Sequence, residues 1–255
     1  STPRPVVAPV AAPMVSLGES PAAPDLDLPQ SPLDARFTFD AWVLNDLTAA
    51  QEQTATRLPS MPSALFVPAS FGDARAREHA LRYLQEEVGF SKDELTGFGL
   101  ALDQKQADLA KVKSAEWMGD LGTAWLNLLG SLTAVPGPQA PAYMQAPAFA
   151  DKQIQTFLGS YAELKHDTLL YAKQSYAELG AGGDDNKLPP VVKGLVEPNL
   201  EFWSRLTALL ERTEGLFTEQ GLFVDHSARA RLSDFREIVA FYAEIAGKEA
   251  SGAAI

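Results

Sequence analysis

The sequence predicts an all-α fold: an array or bundle of about six or seven amphipathic helices with an extended, proline-rich arm at the N-terminus. From Phe37 onward, apolar residues return at spacings of three and four, the period of a helix with one buried face. No alternation of apolar and polar residues, the pattern of a half-buried strand, continues beyond four or five residues. Residues that cap helices precede several of the periodic segments.

The first 36 residues contain 8 of the 18 prolines and few charges, which predicts an extended arm over residues 1–36. A flexible linker is the alternative interpretation. If the arm is held, its apolar residues are expected to anchor it on the helical domain, residues 37–255, or on a neighbouring chain. These residues are Val6, Val7, Val10, Met14, Leu26 and Leu28.

Capping residues divide the first half of the helical domain. Asp40 is expected to cap the segment AWVLNDLTAA, and the prolines of RLPSMPSALFVPAS predict a loop without regular helix. Asp73 is expected to cap ARAREHALRYLQEEV, which ends at Gly89. Ser91 and Glu94 form a capping box ahead of the next helix. The apolar stripe of that helix is Leu95, Phe98, Leu102, Leu109 and Val112.

Three further helical segments follow in the second half. EWMGDLGTAWLNLLGSL is expected to form one helix, with an apolar stripe of Trp117, Leu121, Trp125, Leu128 and Leu132. After a proline-rich break and the central helix, VEPNLEFWSRLTALLERTEGLF begins near Pro198. The last apolar stripe is Leu232, Phe235, Val239, Tyr242 and Ile245.

The central helix has two faces of different character. Steps of 100° place an apolar core stripe on one side: Ile154, Phe157, Leu158, Tyr161, Leu164, Thr168, Ala172, Ser175 and Leu179. The opposite face carries Glu163, His166, Asp167, Leu170, Lys173 and Gln174. A solvated face normally repeats Glu and Lys pairs. The mixture here therefore predicts a helix buried on both sides, with its polar groups satisfied by a second layer.

The candidate site consists of Glu163, His166, Asp167, Tyr171, Lys173 and Gln174. In one interpretation this face lines a pocket, with Glu163 or Asp167 as the general acid or base and His166 as its partner. In the other, which we favour, the same groups form a structural hydrogen-bond network. A hydrolase would also need an oxyanion or substrate-positioning element, and the sequence offers none.

Composition and motifs argue against several other functions. A net charge of −12 disfavours nucleic-acid binding, because neutralising phosphates requires clustered Lys and Arg. The absence of cysteine excludes thiolate metal sites, disulfides and a Cys nucleophile. No run approaches the roughly 20 apolar residues of a membrane-spanning helix. Glu163-x-x-His166 matches half of a di-iron motif, but no second Glu-x-x-His occurs. We therefore expect no metal and no cofactor.

The segment LGSYAELKHDTLLYAKQSYAE is similar to the signature of the bacterial domain-of-unknown-function 3160 family. Lys165 stands in place of the usual Arg, and Leu169 in place of the usual Ile. FTFDAWVLNDL, GDARAREHALRYL, VEPNLEFWSRL and IAGKEASG also resemble family segments in the same order, so the resemblance covers roughly residues 37–255.

The resemblance implies a secreted or lipid-anchored envelope protein and supplies no catalytic role. It also implies a domain longer than this chain, so the chain is expected to be a fragment, matured by proteolysis, whose remainder persists as a protein partner. The expected function is a non-catalytic structural or interaction subunit of an extracytoplasmic assembly, in the periplasm or at the cell surface. The alternative is a hydrolase or carbohydrate-binding domain that uses the polar face around His166.

Overall fold

The computed structural model describes residues 38–49, 57–137, 140–168, 195–223 and 226–253, and the predicted arm lies outside these ranges. Over the described residues the fold is helical and contains no strand, which confirms the all-α prediction. Seven of the nine described α-helices have seven or more residues, which agrees with the expected six or seven. The helices are α1 (Phe39–Asp46), α2 (Phe66–Ser70), α3 (Ala74–Glu86), α4 (Lys92–Leu109), α5 (Ser114–Trp117), α6 (Leu121–Gly130), α7 (Pro147–Thr168), α8 (Leu200–Glu219) and α9 (His226–Ser251).

The capping predictions for α3 and α4 are confirmed. The Asp73 carboxylate accepts a hydrogen bond from the Ala76 N–H at 2.8 Å, which satisfies one of the unpaired donors of the first turn of α3. The Ser91 hydroxyl and the Glu94 carboxylate form the reciprocal capping box of α4. Gly89 follows α3 with a φ of +77°, a conformation that glycine adopts at low cost.

Three predicted helix boundaries are wrong. The N-cap of α1 is Thr38, whose hydroxyl accepts from the Ala41 N–H, whereas Asp40 lies inside the first turn and is buried. The proline-containing loop includes the short helix α2, because Pro68 occupies its first turn, where a backbone N–H has no helical partner anyway. The predicted helix through Trp117 is divided into α5 and α6, since Asp120 caps a new helix by accepting from the Thr123 N–H.

The apolar core lies where α7 packs against α3 and α6, with α2 and α4 behind α3. Four residues of the stripe predicted for α7, Ile154, Phe157, Tyr161 and Leu164, are at most 5% exposed, and Leu158 is partly buried. Phe66, Phe98 and Phe157 are the largest of the fully buried side chains. The spacing of apolar residues therefore identified the buried face of the helix correctly.

Helix α8 packs against α6 on one side and α9 on the other. Asn199 caps α8 by accepting from the Phe202 N–H, and its side-chain amide donates to the Ser131 carbonyl at the end of α6. The predicted stripe of α9 is only partly buried: Val239 is 3% exposed, but Phe235 and Tyr242 are 47% and 41% exposed. Among the described helices, none is long and apolar enough to cross a membrane.

Candidate functional site

Helix α7 carries polar groups at three levels along its length. Asp151 lies near its N-terminal end, Tyr161 and Lys165 lie on its second half, and Glu163, His166 and Asp167 lie on its last two turns. The first two levels contact other helices, whereas the third faces solvent.

The predicted site residues on the last turns of α7 are exposed. The His166 side chain is 78% exposed and the Asp167 side chain 51%, and the two are 3.4 Å apart between Nδ1 and Oδ1. Glu163 is also exposed. One ligand atom from each of these three residues lies within 4.8 Å of the other two, so the groups are close enough in space to share a cation. The predicted burial of this face by a second layer is therefore wrong for these three residues.

The other predicted site residues, Tyr171, Lys173 and Gln174, lie outside the described residues. The structure therefore brings together three of the six candidates. The role of the set in binding remains a prediction.

The exposure of His166 gives an expected result. His166→Ala should change the free energy of unfolding by no more than about 0.5 kcal/mol, because a solvated side chain loses little on truncation. Urea unfolding followed by circular dichroism measures this, with Asp167→Ala as the matched variant on the same turn. A loss of about 2 kcal/mol or more in either variant would show that the side chain belongs to a structural network.

A buried polar network does exist on α7, but on its other side. The Asp40 carboxylate, 5% exposed, accepts a hydrogen bond from the Tyr161 hydroxyl at 2.8 Å and from the Lys165 ammonium at 2.9 Å. Tyr161 is 5% exposed, and the Lys165 side chain reaches solvent with 39% of its surface. The network ties the first turn of α1 to the second half of α7.

The electrostatics of this network fix the carboxyl of Asp40 as an anion. Burial alone would raise the pKa of Asp40, but the charge of Lys165 and hydrogen bonds from Lys165, Thr38 and Tyr161 together hold this pKa below its ordinary value. Burial, the Asp40 charge and the hydrogen bond to Asp40 raise the pKa of Tyr161 well above its ordinary range. The tyrosine therefore stays a neutral donor, and neither group is poised to exchange a proton near neutral pH.

A second polar cluster joins α3 to the start of α7. The Arg75 guanidinium donates to both oxygens of Asp151 at 2.7 and 3.0 Å, and His79 Nε2 lies 2.8 Å from the same carboxylate. Arg82 donates to His79 Nδ1 at 2.7 Å. A guanidinium can only donate, so Nδ1 accepts and the ring proton lies on Nε2, facing Asp151. The hydrogen bonds from Arg75 and then from His79 hold the pKa of Asp151 well below its usual range.

This cluster borders a groove of about 510 Å³ between α3 and α7. The groove is lined by Leu65, His79, Arg82, Tyr83, Glu86, Glu87, Asp151, Ile154 and Gln155. It contains an Asp–His pair, the arrangement that orients a catalytic base. However, both ring nitrogens of His79 are already engaged. Among the described residues that line the groove, none is a serine, threonine or cysteine that could supply a nucleophilic hydroxyl or thiol. The geometry is that of a structural contact between two helices, which we call the α3–α7 contact.

The most conspicuous exposed feature among the described residues is apolar. Helix α9 leaves four large side chains in solvent: Phe235 at 47% exposure, Ile238 at 50%, Phe241 at 60% and Tyr242 at 41%. We call these four residues the α9 apolar face. They lie within about 120° of one another around the helix, beside the buried Val239 and Ala246.

Three features were not predicted from the sequence: the Asp40 network, the α3–α7 contact and the exposure of the α9 apolar face. Asp40 is 121 residues from Tyr161, and Arg75 is 76 residues from Asp151, so no local spacing links them. The apolar residues of α9 form a wide arc, but the sequence does not show how many neighbouring helices cover that arc.

Comparison with known proteins identifies a family for this chain. No curated protein and no solved structure matches the chain. The sequence model of the family described as "Protein of unknown function (DUF3160)" matches residues 32–255, most of the chain. The sequence resemblance around His166 is thereby confirmed, and the chain belongs to this family.

Proposed function

We propose that the chain is a non-catalytic interaction subunit of an extracytoplasmic protein assembly and that it binds a protein partner through the α9 apolar face. The observation that carries the proposal is the exposure of this face. An aromatic side chain offers about 150–250 Å² for burial, so the four half-exposed residues present roughly 400 Å² of contiguous apolar surface. A patch of this size matches the largest apolar patch on a typical folded monomer, and such patches are often functional.

The polar clusters support the non-catalytic part of the proposal. Asp40 and Tyr161 are buried and bonded to each other, and His79 has both nitrogens engaged. Glu163, His166 and Asp167 lie on an exposed helix surface and do not line the α3–α7 groove. The hydrolase alternative therefore has less support than an interaction role.

The extracytoplasmic part rests on the family resemblance, which implies secreted or lipid-anchored proteins of the cell envelope. The other subunits of an extracytoplasmic assembly would be available there to cover the α9 apolar face.

A photo-crosslinking phenylalanine analogue in place of Phe241 tests the proposal in the cells that naturally produce this protein. We expect a discrete protein adduct at position 241, recovered with the envelope or periplasmic fraction. The matched control is the same analogue in place of Leu100, a 65% exposed apolar residue on α4, which should give no adduct. The proposal is contradicted if neither position gives an adduct, or if the adduct at position 241 is found only in the cytoplasmic fraction.

A further inference from the structure

We propose that the partner of the α9 apolar face is a second copy of this chain, bound through its own α9 with the two helices antiparallel and Phe241 at the centre. The inference rests on the proposed interaction function and names its partner. It is carried by the order of charges along α9, by the exposure of the residues involved and by the area they offer.

The sequence of α9 places an ordered stripe on the side of the helix that α8 leaves open. Asp234, Ile238, Phe241, Ile245 and Lys248 follow one another at intervals of four, three, four and three residues. At 100° per residue they lie within a sector of about 80°. We call these five residues the α9 stripe. Its centre is apolar, its N-terminal end is acidic and its C-terminal end is basic.

Contacts between α9 and α8 show why the stripe is uncovered. Arg236 forms ion pairs with Glu214 and Glu211 of α8, and Tyr242 stacks on Trp203 of α8 at 6.0 Å between ring centres. Those contacts turn the α9 stripe away from α8. Within the stripe Ile238 and Phe241 are 50% and 60% exposed, and Asp234 is exposed.

Charge complementarity selects the second copy and its direction. Asp234 and Lys248 are each seven residues from Phe241, or about 10 Å along the helix. A second α9 running antiparallel about a twofold axis at Phe241 brings Asp234 level with Lys248 of the second copy, and the reciprocal pair forms at the other end. The same axis brings Ile238 to within one residue, about 1.5 Å along the helix, of Ile245 of the second copy. A parallel arrangement would instead oppose Asp with Asp and Lys with Lys.

The present partner of Lys248 does not prevent this pairing. Its ammonium lies 2.8 Å from the carboxylate of Glu244, which is 66% exposed. Exposed ion pairs between positions four apart on a helix contribute little and exchange readily. The Lys248 side chain can therefore turn towards the second copy at small cost.

The available area predicts a weak dimer. Ile238 and Phe241 of each copy lie within this interface, whereas Phe235 and Tyr242 lie at its edge. Two α9 apolar faces therefore contribute at most about 800 Å² between them, and the flanking charged residues add to this. Interfaces below roughly 1,200 Å² are characteristic of transient association, so a dissociation constant on the order of 1–100 μM is expected. The net charge of −12 on each copy opposes association at low salt, and physiological salt screens most of that repulsion.

Sedimentation of the 255-residue chain over about 1–300 μM in physiological salt tests the inference. The average mass should rise from 27.5 kDa towards twice that value. Phe241→Glu should hold the chain at the monomer mass over the whole range, and Leu100→Glu, an equally drastic change on α4, should leave the association unchanged. Far-UV circular dichroism and thermal unfolding of each variant establish that it is folded.

Charge exchange tests the direction and register. Asp234→Lys alone, or Lys248→Asp alone, places like charges opposite each other at both ends and should weaken association about tenfold. The double variant restores opposite charges and should return the dissociation constant to within about threefold of the original. The inference is overturned if these charge changes leave the dissociation constant unaltered. It is also overturned if the Phe241→Glu variant still forms the dimer.

The crosslinking result separates this inference from the proposed function. A chain that stays monomeric up to 300 μM overturns self-association. If position 241 then gives an adduct with a different protein in cells, the interaction function stands with another partner. If position 241 gives no adduct either, both are overturned. An adduct at twice the chain mass, containing only peptides of this chain, supports both.

Discussion

Replacing Phe98 with alanine should lower the free energy of unfolding by about 3–5 kcal/mol, the largest change that we expect from any single truncation in the described core. The Phe98 ring on α4 is fully buried and lies 4.9 Å from the equally buried ring of Phe66 on α2, measured between ring centres. Truncation removes the transfer free energy of the ring and leaves a cavity that rigid helices on both sides close only in part.

A matched variant two residues further along α4 isolates the packing contribution. Leu100 is 65% exposed, so Leu100→Ala should change the free energy of unfolding by no more than about 0.5 kcal/mol. Alanine is a good helix former at both positions, so the comparison holds helix propensity nearly constant. Urea unfolding with a common slope gives both values. A cost below about 1.5 kcal/mol for Phe98→Ala would mean that α2 and α4 do not enclose this ring as described.

Phe98 illustrates what the sequence predicts well. Its place on the buried side of α4 follows from the spacing of Leu95, Phe98 and Leu102, and the start of α4 follows from the Ser91–Glu94 capping box. Both signals lie within a few residues of one another, and both depend on helix geometry that is the same in every protein.

The predictions that failed depend on contacts between distant residues or on local competition. Asp120 divides a periodic apolar segment into α5 and α6, since its carboxylate binds both the N–H and the hydroxyl of Thr123. Apolar periodicity does not register such a break, because Trp117 and Leu128 are buried on either side of it. Whether an apolar arc is covered depends on how many helices surround it, so the exposure of Phe241 could not be inferred from α9 alone.

The polar face of α7 was predicted from composition, and composition misled. Histidine and aspartate among apolar residues suggested a buried network, yet His166 and Asp167 are exposed and the buried network lies at Tyr161, in the stripe assigned to the core. Tyr161 belongs both to the apolar core and to the polar network, since its ring packs in the core while its hydroxyl requires a hydrogen-bond partner. The partner, Asp40, was assigned as a helix cap because aspartate near a helix start usually is one.

Asp40→Ala should lower the free energy of unfolding by about 2–4 kcal/mol, a large effect for a single polar residue. The substitution leaves the buried Tyr161 hydroxyl without its acceptor and removes the carboxylate opposite Lys165. Lys165 limits the loss, because its ammonium is partly exposed and can be hydrated instead. Tyr161→Phe removes the donor and leaves Asp40 with Lys165, so this variant alone should cost about 1 kcal/mol.

A double-mutant cycle then measures the coupling of the two side chains. If Asp40 and Tyr161 stabilise the fold mainly through each other, the double variant should cost less than the sum of the single variants by about 1 kcal/mol. If the cost of the double variant equals the sum of the two single costs, the 2.8 Å hydrogen bond between Asp40 and Tyr161 does not contribute to stability. Asp46→Ala, which removes a carboxylate paired with Lys105 at the other end of α1, is the matched control and should not couple to Tyr161.

The pH dependence of stability follows from the lowered pKa of Asp40. In the unfolded chain this carboxyl titrates near 3.9, whereas in the folded protein it remains ionised to lower pH, since Lys165, Thr38 and Tyr161 outweigh the cost of burial. Below pH 3.9 the unfolded state therefore binds more protons than the folded state, so stability falls as pH falls. The stabilisation from Asp40 should be complete above about pH 5 and should diminish below pH 4.

Asp40→Asn imitates the protonated carboxyl, so the difference in unfolding free energy between the natural protein and this variant should shrink over that range. A difference that stays constant from pH 6 to pH 3 would mean that Asp40 is not held as an anion by its neighbours.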